Sequence, residues 1–430
     1  MKRLPQFQFV SAMISVAVML TALNATFARG AEWRQFRGPD GQGISDEKGL
    51  PVKWSAKENV VWRTQLPGPG TSSPMTVGKR VFVTCYSGYA LEAKNPGDMN
   101  NLKRHIVCVD RGDGQIVWQR RFDPRLPEHQ YAGEGTYHGY GSSTAASDGE
   151  RLYIFFGKSG VFCFDLDGNQ LWHALVGDRT NGWGSGNSPL LYKELVIINA
   201  SVESGSLVAL DKVTGKEVWK AGGISSSWNT PVLVPVPNGE TELVVSVQDR
   251  MLGFDPNTGK ELWQAEGVHR YCCPSVVAHD GVVFAIGGGS TSLAVRAGGR
   301  GDVSKTHGLW RDNRGSNVSS PVYLDGHIYW ASDSGGVVTC QEAATGKTVY
   351  QQRLEPGSGL IYASPILADG KLYFVSQLKG TYVVTAKPEF ELLAHNVFED
   401  DDSRTNASPA VSNGQLLLRT DRALYCIGTK

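Results

Sequence analysis

Short apolar runs rich in Val, Ile, Leu, Phe and Tyr follow one another along most of this chain, and each is cut off by Gly, Asp or Asn. No long helical apolar period interrupts them. Runs of that length and punctuation predict β-strands joined by tight turns. The stretch from 188 to 219 shows the unit in full. Ser188-Pro189 opens a strand through Leu190 and Leu191, Lys193-Glu194 turns the chain, and Leu195-Val196-Ile197-Ile198 runs back. After Gly205 comes Leu207-Val208-Ala209-Leu210, then a turn from Asp211 to Gly215, then a fourth strand that ends at Trp219. Pro189 is tolerated because it stands at a strand start, where a missing amide donor costs least. One such unit makes one four-stranded blade.

The unit repeats. A small polar residue followed by Pro recurs at Ser73-Pro74, Ser188-Pro189, Thr230-Pro231, Cys273-Pro274, Ser320-Pro321, Ser364-Pro365 and Ser408-Pro409, with Ser143-Thr144 as a degenerate eighth copy. From residue 144 onward the steps are 42 to 47 residues, the spacing of propeller blades. The first step is longer, so blade one carries an insertion. A second element, Asp-turn-Gly-Trp, recurs as Asp110 to Trp118, Asp165 to Trp172, Asp211 to Trp219 and Asp255 to Trp263. Asp bonds its own downstream backbone, Gly closes the turn, and the aromatic is large enough to fill the space between blades.

The eighth anchor is followed by strands at 415–418 and 423–427, after which the chain stops without a fourth strand. The Trp-bearing segment 59–65 has the character of that missing piece. The sequence therefore predicts an all-β, eight-bladed β-propeller of four-stranded blades, closed by the N-terminal strand completing the last blade.

The amino terminus changes the compartment. Lys2 and Arg3 precede an apolar run from Phe9 to Phe27 that ends in small residues, the layout of a secretory signal peptide. The reading is a leader over 1–30 and a propeller over 31–430, exported to the periplasm or secreted, with no stable membrane span after cleavage. Lys and Arg (42) balance Asp and Glu (42), and losing Lys2, Arg3 and Arg29 with the leader leaves a small net negative charge. That balance excludes a polybasic nucleic-acid footprint.

The pattern Ala-x-Asp-x-x-Thr-Gly-x-x-x-Trp, best seen in Ala209 to Trp219, resembles the repeat of the pyrroloquinoline-quinone (PQQ) type propeller family. Trp33-Arg-Gln-Phe36-Arg37-Gly38 also resembles the amino-terminal approach of that superfamily. The resemblance implies the propeller fold across the mature chain. For activity it implies two classes, because the family holds both quinoprotein dehydrogenases and the outer-membrane barrel-assembly scaffold.

Candidate sites follow from the repeat. Residues just before each anchor are expected to line the funnel mouth: Trp183, Asn187, Trp228, Asn229, Tyr271, Asn317, Tyr362 and Asn406. Aromatic faces with amides between them suit a flat, hydrogen-bonding ligand or an extended peptide; the other reading is that inner-strand entries are crowded and these side chains plug the channel. The blade-one insertion and its link to blade two add His105, His129, Tyr131, Glu134, His138 and Tyr140. No His pair has zinc spacing, so no metal site is predicted. The acidic run Glu399 to Asp402 reads as a solvated loop.

Cys108, Cys163, Cys340 and Cys426 each fall two residues before the Asp-equivalent position of a different blade, and so read as buried free thiols. Cys272-Cys273 is different. The family's dehydrogenases hold a vicinal disulfide beside the cofactor, so the resemblance makes Cys272, Cys273, Trp228 and Trp183 cofactor-binding candidates if a PQQ site exists. The plainer reading is that the pair replaces the Ser-rich anchor seen at Ser319-Ser320. The family's calcium-binding Glu and Asn and its catalytic Asp fall on no matching motif here. The expectation is thus a monomeric, non-catalytic binding or assembly scaffold for a protein partner or small ligand, with no cofactor; the alternative is a dehydrogenase using PQQ and Ca2+.

Overall fold

The computed structural model describes Met1 and residues 32–428 apart from 238 and 289; the leader read over 1–30 lies, apart from Met1, outside the described residues. Eight antiparallel sheets stand in a ring, each with four strands running from axis to rim. In blade 3 these are Leu190–Tyr192, Leu195–Ala200, Ser206–Asp211 and Glu217–Gly222. Two sheets gain a short parallel fifth strand: Ile44–Ser45 lies along the inner strand of blade 7, and Gly301–Asp302 along the outer strand of blade 4. Blade 8 closes as expected. Val60–Gln65 pairs with Ala423–Ile427, setting Trp62 opposite Cys426 and Gln65 opposite Ala423.

The anchors form a ring of hydrogen bonds around the axis. The backbone N–H of Ser73 donates to the Thr144 hydroxyl at 2.9 Å, and Thr144, Ser188, Thr230, Ser275, Ser320 and Ser364 each donate in turn to the next hydroxyl, ending at Ser408, over 2.9–3.1 Å. Each hydroxyl satisfies a buried amide that no strand partner reaches, which is why the position demands Ser or Thr. One anchor is corrected by this ring. Cys273-Pro274 is not a member: Ser275 takes the place, and Cys273 sits two residues earlier, where the neighbouring blades have Trp228 and Val318. The pair Cys272-Cys273 therefore does not replace the Ser-rich anchor.

A second repeated device locks the rim. Every outer strand is bulged at the residue before its docking position, so that Ala209 faces Trp219 while Leu210 faces Glu217 and Val218 is left over. The same skip falls at Val117, Leu171, Leu262, Leu309, Val349, Leu393 and Val61. A bulge reverses side-chain parity and twists the edge strand. It turns the apolar residue out to solvent, as at Val117, Leu171 and Val218, and turns the following Trp into the next blade. There the indole of Trp118, Trp172 or Trp219 lies over Gly168, Gly215 or Gly259, where a Cβ would come within 3 Å of the ring. Its N–H donates to a turn carbonyl of that blade: Leu166, Lys212 and Pro256 at 2.9–3.1 Å. Trp172, Trp219 and Trp263 are buried; Trp118 is half-buried. Trp263 departs from the scheme, donating instead to the buried Glu242 carboxylate at 2.6 Å.

Cys108, Cys163, Cys340 and Cys426 face Trp118, Trp172, Tyr350 and Trp62 across the third and fourth strands. All four are buried free thiols, one per blade, because only a small side chain fits behind the docking ring. The core is divided accordingly. Apart from a tyrosine-rich cluster of Tyr86, Tyr89, Tyr131 and Tyr140 that packs the blade 1–2 link onto blade 1, the clusters fill gaps between neighbouring blades, as where Phe82 and Ile106 of blade 1 meet Leu152 and Ile154 of blade 2.

Residues 33–45 cross one end of the axis. Trp33 and Arg34 offer carbonyls to the amides of Thr76 and Ser147 at 2.9 Å, Gln42 accepts from Ala278, and Gly43 from Leu367. Arg37 donates to the Pro321 carbonyl. Blades 1, 2, 5, 6 and 7 are thereby tied to one segment that plugs the channel from below.

Candidate functional site

Above the hydroxyl ring the axis opens into a cavity of about 270 Å³. Its wall takes one residue from each blade at the position two before the ring. Blades 1 to 4 supply Thr71, Ser142, Gly186 and Trp228; blades 5 to 8 supply Cys273, Val318, Tyr362 and Asn406. Ring hydroxyls of Thr230, Ser275, Ser320, Ser364 and Ser408 line its lower part, and Phe36 of the amino-terminal plug joins them.

Three rings meet at an angle on one side. Trp183 and Trp228 have centroids 5.0 Å apart with planes at 46°, and Trp183 meets Tyr271 edge-on at 4.6 Å and 79°. Trp183 is placed by an Asx turn, its N–H donating to Asn181 Oδ1 at 2.9 Å. The same loop fixes its neighbour, since Trp228 Nε1 donates to the Gly184 carbonyl at 2.8 Å. Glu134, Asn317, Asp333 and His138 complete the wall. Asn317 donates to both Asp333 oxygens, from its backbone N and its Nδ2, at 3.2 Å each.

The link between blades 1 and 2 arches over this cavity. It carries the short helix Gly135–His138 and is held on the far side of the ring. Asn406 Nδ2 donates to the Tyr137 carbonyl, Tyr137 meets Tyr362 edge-on at 5.4 Å, and the Tyr362 hydroxyl donates to Glu134 Oε2 at 3.4 Å. Arg404 donates to the Thr136 carbonyl and pairs with Asp421 at 3.1 Å.

Burial sets the protonation of the wall. His138 is pushed down to about 4, chiefly by desolvation, so it is neutral at physiological pH. The Cys273 thiol is pushed up to about 12 by burial, with Cys272, Glu134 and Asp333 adding to the rise. Such a thiol is not a nucleophile. Behind the wall, Arg104 and Glu128 form a buried ion pair at 2.7 Å. Nearby, burial raises the Glu203 carboxyl to about 7 while Ser185 donates to it.

Of the residues expected at the funnel, Trp183, Trp228, Tyr271, Asn317, Tyr362 and Asn406 are on the wall. Asn187 and Asn229 are not: both are about 1% exposed, and their amides bond inside the blades, Asn229 to Ser246 O at 2.7 Å and Cys272 O at 3.1 Å. They stand one residue before the ring, where side chains turn inward. Cys272 is buried beneath Ser246, whose hydroxyl donates to its sulfur at 3.3 Å, and only Cys273 reaches the cavity. The two sulfurs are not bonded. His105 lies in blade 1 between Ser87 and Gln119. Tyr140 donates to His129 O behind the wall, and Tyr131 sits beside Arg404. In the acidic run, Asp401 is buried against Thr420 and Tyr425, while Asp400 and Asp402 pair with Arg63 and Arg422. Sequence reasoning missed Asp333 and, at the wall position two before the ring, Thr71, Ser142, Gly186 and Val318. The signal was there for Val318, which shares its offset from Ser320 with Trp228 from Thr230; Asp333 lies in a second-to-third-strand turn, which no anchor marks.

The sequence pattern of the family described as outer membrane protein assembly factor BamB matches residues 44–182, 102–267 and 183–388, overlapping units that each span several blades. The chain belongs to this family. No curated protein matches it. Among solved structures it is similar to BamB from Moraxella catarrhalis, at 13% identity over 86% of this chain and 97% of that one, with a TM-score of 0.60. It is also similar to quinohemoprotein alcohol dehydrogenase from Comamonas testosteroni, at 11% identity over 94% and 82% with a TM-score of 0.65. A europium-containing methanol dehydrogenase matches at 12% identity over 90% and 89%, with a TM-score of 0.64. At such identities the likeness to these structures shows the propeller and nothing finer.

Proposed function

We propose that this chain is an exported, non-catalytic binding or assembly scaffold, with a leader over 1–30, a monomeric propeller over 31–430 and the axial funnel as its ligand seat. The observation that carries the reading is the funnel wall. Rings and amides converge there on a small cavity, while its thiol is held protonated and its histidine neutral. That is recognition chemistry. The family's description as an assembly factor supports a protein partner. No helix among the described residues is long and apolar enough to cross a membrane.

The alternative, a dehydrogenase using PQQ and Ca2+, draws on Cys273 and the two Trp residues at the wall. These residues do not fit the group. PQQ is a polycarboxylate, yet among the described residues no Lys or Arg lines the cavity and the charged side chains there are the acids Glu134 and Asp333. Cys272 faces Ser246. Among the described residues no three His, Cys, Asp or Glu converge on a metal position.

The test adds PQQ and CaCl2 to the purified chain and follows dye reduction and thermal unfolding, alongside fractionation of the expressing cells. The expected result is a processed chain outside the cytoplasm, with no dye reduction and no PQQ-dependent stabilisation. Saturable PQQ binding with calcium-dependent dye reduction would overturn the reading.

A further inference from the structure

The sign of the funnel's charge says more. Glu134 and Asp333 share the cavity wall with four aromatic side chains from the surrounding blades, and neither carboxylate has an ion-pair partner among the described residues. Their hydrogen bonds come from neutral groups, Tyr362 and Asn317. Two cations behind the wall are already paired, Arg404 with Asp421 and Arg104 with Glu128. His138 adds no charge at neutral pH. Arg270 is exposed beside Tyr271 and does not line the cavity.

We propose that the axial funnel takes the ammonium or guanidinium group of its ligand, held in the corner formed by Trp183, Trp228 and Tyr271 and balanced by Glu134 and Asp333. This rests on the funnel being the ligand seat, as argued above. Ring faces attract cations through their quadrupole, and Trp does so best. Geometry selects the shape. Rings set at 46° and 79° to one another build a corner, which surrounds a compact head group, whereas a flat ligand needs a parallel pair.

The field agrees with the geometry. Tyr271, Tyr362 and Cys273 come from two blades, and all three are harder to ionise, first through burial; Glu134 and Asp333 both add to the rise at each, after Cys273 at Tyr271 and after Cys272 at Cys273, and Arg270 opposes it at Tyr271. An added anion meets that field; an added cation relieves it. A cavity of about 270 Å³ admits a side chain or a small amine and excludes a folded domain. The cation therefore comes either from a basic side chain of an extended partner or from a free organic amine.

The test is calorimetric titration of the full chain at fixed ionic strength with choline, the tripeptide Gly-Arg-Gly, the neutral choline isostere 3,3-dimethylbutanol, glucose and CaCl2. Choline or the tripeptide is expected to bind saturably, with the neutral isostere weaker by about tenfold or more. Tighter tripeptide binding assigns a partner's side chain, and tighter choline binding assigns a free amine. A Glu134→Gln/Asp333→Asn double variant should lose about tenfold in cation affinity while keeping its melting temperature, and Trp183→Leu should lose a similar factor. Equal binding of the isostere, glucose binding without cation binding, or CaCl2 displacing choline would overturn the cation proposal and leave the funnel as a ligand seat. No binding by any probe would also overturn it. Turnover with PQQ, in the separate test above, would sink the scaffold reading itself.

Discussion

Trp62 donates its indole N–H to the backbone carbonyl of Arg111 at 2.7 Å, so a residue from the amino-terminal strand, built into blade 8, clasps blade 1. The contact is the one that Trp219 makes with Pro256 between blades 3 and 4. The seam where the two ends of the chain meet is therefore built like seams between consecutive blades, which covers the two blade faces a linear array would leave open.

If that clasp holds each seam, Trp219→Ala should cost about 3–5 kcal/mol of stability, because it opens a cavity over Gly259. Trp219→Phe keeps most of the packing and loses the bond to Pro256, which should cost about 1 kcal/mol. Urea unfolding of the two variants checks the order. Equal losses would mean that the ring contributes nothing beyond its N–H.

The hydroxyl ring separates Ser275 from Cys273. Ser275→Ala leaves the Thr230 amide without its acceptor and should cost about 1–3 kcal/mol. Cys273→Ser, on the cavity wall, should change stability by less than about 0.5 kcal/mol. The reverse order in a thermal scan would restore Cys273 to the anchor.

Arg419 belongs to the same seam as Trp62. It is buried in blade 8 and donates to Ser72 Oγ and the Thr84 carbonyl of blade 1, both at 2.6 Å. Arg419→Ala strips three buried hydrogen bonds from this seam, leaving Ser72 Oγ only the Thr84 N–H at 2.9 Å and the Thr84 carbonyl only the Ser72 hydroxyl at 3.3 Å, and should cost about 3 kcal/mol by denaturant unfolding. A loss below about 0.5 kcal/mol would show that the seam does not depend on it.

Glu203 makes stability depend on pH. Its carboxyl is raised to about 7, chiefly by burial, with Glu128 adding to the rise and Ser185 and Arg104 opposing it. Between the ordinary carboxyl range and about 7 the folded chain holds a proton that the unfolded chain has released, so this group's contribution falls as pH rises through that window. Glu203→Gln should therefore gain on the parent by roughly 3 kcal/mol from about pH 4 to about pH 8. Unfolding curves at several pH values measure the difference. A difference that did not change with pH would place the carboxyl in contact with water.

What could be read before the structure was whatever repeats. Blade count, strand count, the closing segment at 59–65 and the shared place of the four core cysteines all follow from local patterns recurring at a fixed step, because each blade solves the same packing problem. The reading slipped where one copy departs from that pattern. Cys273-Pro274 imitates an anchor, and only the hydrogen bond from the Thr230 amide to Ser275 shows which residue stands in the ring. Asn187 and Asn229 were expected at the funnel because they lie close to an anchor, but a strand shows alternate faces on successive residues. One residue of offset sends an amide into the blade and not toward the axis.

The propeller is written into the chain locally, since apolar period, turn residues and step length need no partner to be recognised. The funnel's composition was decided only by tertiary structure. Glu134 comes from an irregular link, Asp333 from a turn in blade 6 and Trp183 from a loop before blade 3, positions with no common spacing along the chain. Ring closure brings them together, and the sign of the field they make together is a property of that convergence.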